Sequence, residues 1–262
     1  MLQWLWKSMI SKTEIKMLRS LEKKKGRELY KLILVEGKRL IKQLIESEVV
    51  FNKIWATEDF IYKNRDLIKL INSTIEINSI SKQDLKKITS THNPSGIIGV
   101  LKPPKGDFKK MNNRIIMLDN IADPGNLGTI LRTANWFGMN NILLSDECVD
   151  LHNPKVVRSA MGAHFKMNII SDKVDQCIQK LQSNNFQIIA ADLNTNHSIE
   201  NFKLHTNKWV LVMGSEAHGL SESVSKLVKH KIKIPQIGQI ESLNVSVACG
   251  IFLYHIAIIN KG

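Results

Sequence analysis

Short apolar segments alternate with amphipathic helical patterns through residues 113–262, and this alternation limits the folds that the chain can adopt. Runs of four or five apolar residues suit buried strands, whereas longer stretches with one apolar side suit surface helices. Strands are predicted at 115–118, 141–144, 166–170, 187–191, 209–213 and 231–234, and helices at about 127–137, 154–162, 173–183, 221–229 and 244–259. Strands separated by helices predict an α/β fold with a parallel sheet covered on both faces.

A second, smaller α/β domain is predicted before this one. Residues 12–29 have the pattern of a helix, residues 32–35 that of a strand and residues 38–45 that of the next helix, and the alternation continues to about residue 101. The segment Lys102-Pro103-Pro104-Lys105-Gly106 then combines two prolines, a glycine and two charges, as linkers do. We therefore predict a first domain at 1–101, a linker at 102–112 and a second domain at 113–262.

Most of the basic charge lies in the first domain. The whole chain has a formal net charge of +13. Residues 1–105 hold 21 lysines and arginines against 11 acidic residues, a net of +10, and the remainder holds 16 against 13. A polyanion such as nucleic acid is the natural partner of such a domain. The alternative interpretation is a solvated basic surface that only keeps the protein soluble.

Cysteine and histidine usage gives no sign of a disulfide framework or a metal site. Cys148, Cys177 and Cys249 are odd in number and far apart, which fits a protein of the reducing cytoplasm. The eight histidines include no pair four residues apart, so no metal is predicted. We interpret His164 and His218 as packing or surface residues.

Three of the predicted strand ends carry unusual sets of residues. The first set lies between Leu118 and Ala134, where a turn at Asp123-Pro124-Gly125-Asn126 leads into a helix that carries Arg132. The other two are the segments 212–220 and 234–248. Because ligands gather at the carboxyl ends of strands in parallel sheets, we expect the three segments to share one pocket. Taken alone, the first segment is more typical of an ordinary strand-to-helix connection than of a ligand site.

Familiar nucleotide and hydrolase motifs do not account for these segments. No Gly-x-Gly occurs, so the dinucleotide-binding fingerprint is absent. Gly214 and Gly219 have the spacing of a phosphate-binding loop, but Leu220 stands where its lysine should follow. A Gly-x-Ser-x-Gly elbow is also missing, although residue types alone leave a Ser–His–Asp hydrolase open.

Together the three segments resemble the three motifs of the SpoU (TrmH-type) RNA ribose methyltransferases of the SPOUT superfamily. The matching residues are Asn126, Gly128 and Arg132 in the first segment, Gly214, Glu216, Gly219 and Leu220 in the second, and Ile234, Pro235 and Ser242 to Ser246 in the third. Gln236 stands where a methionine is common, and Ala217 where a glycine is frequent. A weaker likeness to the family's substrate-binding domain, which is similar to a small RNA-binding ribosomal protein, is carried by residues 35–39 and 93–100.

This resemblance implies a second domain with a deep trefoil knot that binds S-adenosylmethionine. Gly214, Ile234 and Leu243 are then the cofactor contacts, with core packing as the alternative for the two apolar residues. The resemblance also implies a homodimer whose active site takes residues from both copies. The implied activity is transfer of a methyl group from S-adenosylmethionine to a ribose 2′-hydroxyl of RNA.

Five residues are the catalytic candidates that the resemblance supplies. Arg132 either accepts the hydroxyl proton in a dry pocket or stays charged and grips the neighbouring phosphate; both roles are open because a guanidinium is a weak base. Asn126 would fix the ribose or the arginine. Glu216 would orient Arg132 or Asn126, unless it is only a carboxylate at a helix N-terminus. Ser242 and Asn244 lie where helix caps are expected, so capping competes with catalysis for both.

Contacts to RNA phosphates are predicted in the basic first domain, at Lys23 to Lys25, Arg27, Lys38, Arg39 and Lys42. Ribosomal RNA is the favoured substrate because of the separate first domain, and transfer RNA is an alternative. Two further alternatives are a methyltransferase that confers antibiotic resistance and an RNA-binding module without catalysis. The expected location is the cytoplasm.

Overall fold

The computed structural model describes residues 10–73 and 75–259. Its helices are α1 Lys12–Ser20, α2 Lys24–Tyr30, α3 Lys38–Glu46, α4 Glu58–Lys63, α5 Arg65–Asn72, α6 Lys82–Ile88, α7 Pro124–Trp136, α8 Pro154–Ser159, α9 Val174–Ser183, α10 Glu222–Leu227 and α11 Val245–Tyr254. Its strands are β1 Ile33–Glu36, β2 Lys53–Ala56, β3 Ile77–Ser79, β4 Ile97–Leu101, β5 Arg114–Leu118, β6 Asn141–Leu144, β7 Asn168–Ser171, β8 Gln187–Ala191, β9 Trp209–Met213 and β10 His230–Ile232. A π-helical turn, His255–Ile259, continues α11.

The described residues group into two compact units. One contains the chain through Pro104 together with His152–Phe165, and the other contains Lys105–Leu151 and the chain from Lys166 onward. The break after Pro104 lies inside the predicted linker. Residues 152–165, which the predicted boundaries place in the second domain, group with the first unit because Val157 and Phe165 are part of its hydrophobic core.

The first unit is built on a mixed four-stranded sheet in the order β1-β4-β2-β3. Strand β4 runs antiparallel to both β1 and β2, and β2 runs parallel to β3. Successive side chains of a strand point to opposite faces, so Ile33 and Val35 of β1 join one apolar cluster and Leu34 joins another. The predicted small α/β domain is confirmed.

The second unit contains a six-stranded sheet in the order β10-β8-β9-β5-β6-β7, in which every neighbouring pair is parallel. The predicted parallel α/β architecture is therefore confirmed. Strands β5 and β9 are neighbours with Leu118 opposite Met213, so the turns that follow them leave the same edge of the sheet side by side. Within the described residues, no helix is long and apolar enough to cross a membrane.

The single helix predicted for residues 12–29 is wrong, because the chain breaks it between α1 and α2. Gly26 lies so close to the end of α1 that a Cβ there would be 2.1 Å from the carbonyl oxygen of Ser20. Arg27 Nη1 donates to the carbonyl oxygens of Leu21 at 2.6 Å and Glu22 at 2.8 Å, which satisfies acceptors at the helix end. Since only 8% of Arg27 is exposed, its predicted phosphate contact is also wrong.

We expect Arg27→Ala to lower the free energy of unfolding by about 2 kcal/mol, because two charge-assisted hydrogen bonds are lost and two carbonyls lose their partner. Lys25→Ala is the matched control, since Lys25 is an exposed residue of the same helix, and should stay within about 0.5 kcal/mol of the wild type. Urea unfolding measures both values. Equal losses for the two variants would contradict the structural role of Arg27.

Candidate active site

A chain of hydrogen bonds joins the three unusual segments. Asn244 Nδ2 donates to Asn126 Oδ1 at 2.9 Å, and Asn126 Nδ2 donates to Glu216 Oε1. Asn126 lies in the first turn of α7, Glu216 in the turn after β9, and Asn244 at the start of α11. The structure thus brings three of the five predicted catalytic residues into direct contact.

Ser246 fixes the direction of this chain. Its backbone N–H donates to Asn244 Oδ1 at 2.9 Å and its hydroxyl donates to the same oxygen at 2.6 Å. The Asn244 amide therefore turns its NH₂ group toward Asn126, whose own NH₂ group then faces Glu216. Sequence reasoning did not assign Ser246 to the site. The sequence signal for Ser246 was the pattern Asn-x-Ser at a predicted helix start. An asparagine cap there accepts N–H donors from the first helical turn.

Of the two residues for which helix capping was an alternative role, Asn244 is a cap and Ser242 is not. Asn244 is the N-cap of α11 and at the same time binds Asn126, so capping and a role in the site are compatible. Ser242 lies two residues before the cap, is exposed, and lines the cavity described below. The capping alternative is therefore wrong for Ser242.

A tight turn carries Glu216 into the site. Ser215 and Gly219 exchange backbone hydrogen bonds of 2.8 and 3.0 Å, and Gly219 has a φ of +64°. A Cβ on Gly214 would lie 2.3 Å from the carbonyl carbon of Gly219, so only glycine lets the two arms of the turn come this close. Helix α10 begins only at Glu222, so the alternative that Glu216 is a carboxylate of a helix N-terminus is wrong.

Asp119 anchors the far end of the same turn. This buried residue follows β5, and its Oδ2 accepts the backbone N–H of Ser221 at 2.7 Å. The contact ties the end of β5 to the residue that precedes α10. Sequence reasoning did not single out Asp119, although its position directly after a buried strand was a usable signal.

A cavity of about 510 Å³ opens beside the hydrogen-bond chain. It is lined by all three predicted cofactor contacts, Gly214, Ile234 and Leu243, and also by Glu216 and Ser242. Core packing is not the role of Leu243, which is exposed on the cavity wall. The volume lies within the usual range for small-molecule sites, and the lining mixes apolar walls with carboxylates that suit a cationic ligand. The other acidic residues of the lining are Asp192 and Glu241.

Arg132 does not join the other candidates. It is exposed on α7, and within the described residues it has no hydrogen-bond or ion-pair partner and does not line the cavity. Six residues separate it from Asn126, which is about 1.7 helical turns, so the two side chains leave α7 on different sides. A single chain therefore brings Asn126, Glu216 and Asn244 together but leaves Arg132 outside their hydrogen-bond chain.

Buried cysteines and the buried histidine are unsuited to chemistry. Burial raises the pKa of the Cys177 thiol to about 11 and that of Cys249 to about 12, so both stay protonated near neutral pH. Burial, together with the neighbouring His152, lowers the pKa of His164 to about 3. His164 packs its ring 4.2 Å from that of Phe165 in the first unit, and the predicted packing role is confirmed.

The predicted RNA contacts Lys38, Arg39 and Lys42 are exposed on α3. The opposite side of this helix is buried through Leu40 and Leu44, among others. Lys42 forms an exposed ion pair with Glu46 at 3.6 Å, which solvent weakens and which RNA can replace.

Two family models match different parts of the chain. A model described as the SpoU rRNA methylase family matches residues 113–254. A model described as an MRM3-like substrate binding domain matches residues 12–99.

Individual relatives match nearly the full length. A tRNA/rRNA methyltransferase of Synechocystis is 32% identical over 92% of this chain and 89% of its own length. The 23S rRNA (guanosine(2553)-2′-O)-methyltransferase of Bacillus subtilis is 25% identical over 93% and 95%. A TrmH-family protein of Porphyromonas gingivalis has a solved structure with a TM-score of 0.82 at 27% identity, covering 95% and 98%. An AdoMet-bound rRNA methyltransferase of Sinorhizobium meliloti, at 24% identity, shares the fold with a TM-score of 0.84 over 97% and 98%.

We expect Gly214→Ala to destabilise the protein by about 1–3 kcal/mol, because the new methyl group meets backbone atoms that cannot move aside without opening the turn. Gly238→Ala is the matched control: Gly238 also lines the cavity, and a Cβ there would meet nothing within 4 Å. Denaturant unfolding compares the variants. A Gly214→Ala protein as stable as Gly238→Ala would show that the close approach of the two arms is not required.

Proposed function

Because the chain belongs to the SpoU rRNA methylase family, we propose that it transfers a methyl group from S-adenosylmethionine to a ribose 2′-hydroxyl of ribosomal RNA. The observation that carries this proposal is the hydrogen-bond chain of Asn126, Glu216 and Asn244 at the wall of the 510 Å³ cavity. A non-catalytic RNA-binding module would have no need to keep this arrangement.

The cavity suits the cofactor in size and charge. S-adenosylmethionine supplies an activated methyl group on a positively charged sulfur. We assign its binding to Gly214, Ile234 and Leu243 in the partly apolar lining of the cavity. The carboxylates of the lining favour the positive charge of the sulfur. The residues present therefore fit the cofactor.

The chain's own residues have two tasks in the reaction. They must hold the ribose oxygen in line with the methyl carbon, and they must remove or share the hydroxyl proton. Asn126, held between Glu216 and Asn244, is positioned to orient the ribose or an arginine. Arg132 would act on the hydroxyl or on the adjacent phosphate, and Ser242 faces the cavity where the sugar would enter.

A homodimer is part of the proposal, because one copy lacks an arginine in its own hydrogen-bond chain. Helices α7 and α11 pack against each other, with the rings of Phe137 and Tyr254 6.4 Å apart, and both leave apolar side chains exposed. Trp136 of α7 is 85% and Tyr254 of α11 53% exposed, and Val247 and Ile251 of α11 are also exposed. We assign this face to a second copy, whose α7 would bring Arg132 to the site.

The substrate grip is assigned to the first unit, where three segments that line one small cavity carry or adjoin exposed basic residues. A small cavity beside the edge strand β1 is lined by Glu22, Leu34, Glu36, Thr89, Pro154, Val157 and Arg158. In the sequence, Lys23 to Lys25 come directly after Glu22, and Lys38 and Arg39 come shortly after Glu36. Arg158 is an exposed residue of α8.

The two acidic residues of this surface are engaged locally. Glu22 Oε1 accepts the backbone N–H of Ser90 at 2.7 Å, and Glu36 Oε2 accepts the hydroxyls of Thr89 and Thr91, the second at 3.0 Å. The exposed basic residues next to this cavity outnumber these two carboxylates, which favours phosphate binding: Lys23 to Lys25, Lys38, Arg39 and Arg158. We also propose a cytoplasmic location, because ribosomal RNA is found there and its reducing conditions keep three free thiols reduced.

The activity is tested by incubating the protein with labelled S-adenosylmethionine and ribosomal RNA from a deletion strain, then mapping 2′-O-methylated nucleotides by mass spectrometry. We expect one site to be filled by the wild type and Arg132→Lys to lose at least about 100-fold in kcat, because lysine cannot make the bidentate contact. Arg114→Lys, the same change at another exposed arginine of this unit, is the control. Near-normal methylation by Arg132→Lys would refute both roles considered for Arg132.

The shared active site is tested by mixing two inactive variants, Arg132→Ala and Glu216→Gln. If Arg132 acts across the dimer, each mixed dimer regains one complete site, and random exchange restores roughly a quarter of the wild-type rate. The rate is measured after subunit exchange and compared with each variant alone. If Arg132 acts within its own chain, no mixed dimer contains a complete site and no activity returns.

A further inference from the structure

Gln236 departs from the family pattern, and its side chain is engaged with its own loop. Its Nε2 donates to the carbonyl oxygen of Gly238 at 3.0 Å and to that of Ile240 at 2.7 Å. Both acceptors are carbonyls, so the two hydrogens of the amide NH₂ group are both used. A methionine at this position, which is common in the family, has no donor to offer.

Among the residues that the structure describes, no further hydrogen bond stabilises the loop that these two bonds hold. Residues 234–243 connect β10 to α11 outside any helix or strand, and among the described residues no backbone-to-backbone hydrogen bond joins this stretch to the rest of the chain. Within the part of the chain that the structure describes, the two Gln236 bonds are the only hydrogen bonds of residues 236–240. Without them, the order of this stretch would depend on packing alone, yet Ile237 is fully exposed and Ile240 largely so.

This loop forms one side of the cavity assigned to the cofactor. Gln236, Ile237, Gly238 and Ile240 all line it, as does the turn that carries Gly214. A loop that is ordered only when ligand binds lowers the affinity, because the ordering free energy is taken from the binding energy.

We infer that Gln236 is a positioning residue that holds residues 236–240 in the shape that binds S-adenosylmethionine before the cofactor arrives. The inference rests on the proposed function, since it takes this cavity to be the cofactor site. Gln236 acts through the loop backbone, and among the described residues its side chain makes no hydrogen bond to those assigned to proton removal or ribose orientation. Its loss therefore weakens cofactor binding and leaves the chemical step intact.

The test compares Gln236→Met with Gln239→Met in the full-length protein. Gln239 lies in the same loop, has no side-chain hydrogen bond among the described residues and does not line the cavity, so the second variant makes the same chemical change without removing the brace. Calorimetry with S-adenosylmethionine measures the Kd, and hydrogen exchange of residues 237–240 in the free protein measures the order of the loop.

We expect Gln236→Met to raise the Kd about 5- to 10-fold, as the loss of two partly exposed hydrogen bonds predicts. The same variant should speed exchange in the loop, and its kcat at saturating cofactor should change less than about twofold. Gln239→Met should match the wild type, and Gln236→Glu, which cannot donate, should behave like Gln236→Met.

The outcomes separate this inference from the proposed function. If the wild type takes up no S-adenosylmethionine, the proposed cofactor site fails and the inference fails with it. If the wild type binds and Gln236→Met equals it in Kd and in hydrogen exchange, only the inference is overturned. A Gln239→Met variant as weak as Gln236→Met, or a fall in kcat with an unchanged Kd, would also overturn it.

Discussion

The hydrogen-bond chain from Ser246 through Asn244 and Asn126 to Glu216 is the constraint on which the site depends. The four residues come from three segments, and Ser246, Asn244 and Asn126 each donate toward Glu216, which only accepts. Because an amide that is satisfied on both sides cannot flip without losing a hydrogen bond, the chain fixes two asparagines and one carboxylate together. Glu216 is part of the hydrogen-bond chain and also lines the cavity, so the chain fixes the position of one cavity residue.

The sheet and two local contacts make that chain possible. Neighbouring parallel strands β5 and β9 deliver two of the turns to one edge. Gly214 lets the two arms of the turn after β9 approach each other closely. Asp119 ties the far end of that turn, at Ser221, to the end of β5. The site is thus assembled mainly by backbone geometry, and its reactive side chains are placed by residues that take no part in chemistry.

Much of this arrangement could be predicted from the sequence because the pattern is local. Alternating strands and helices predicted the parallel sheet, and the position of three segments at strand ends predicted a shared pocket. Asn126, Glu216 and Asn244 were predicted as site residues by the resemblance of those segments to the family motifs. Arg27 was misjudged because a basic residue in a basic run gives no sign that it will cap a neighbouring helix. The grouping of residues 152–165 with the first unit depends on packing by Val157 and Phe165 between residues far apart in sequence, which periodicity does not report. The trefoil knot stays a prediction of the family resemblance, since it is a property of the whole chain path.

A double-mutant cycle between Asn126→Ala and Asn244→Ala, read as the methyl-transfer rate on ribosomal RNA, tests the central claim that the three turns act as one site. If the two residues work through the hydrogen bond between them, the second substitution should cost little once the first is made, with a coupling energy of about 1–3 kcal/mol. Additive losses in the double variant would show that Asn126 and Asn244 act independently, and would contradict a single hydrogen-bonded site.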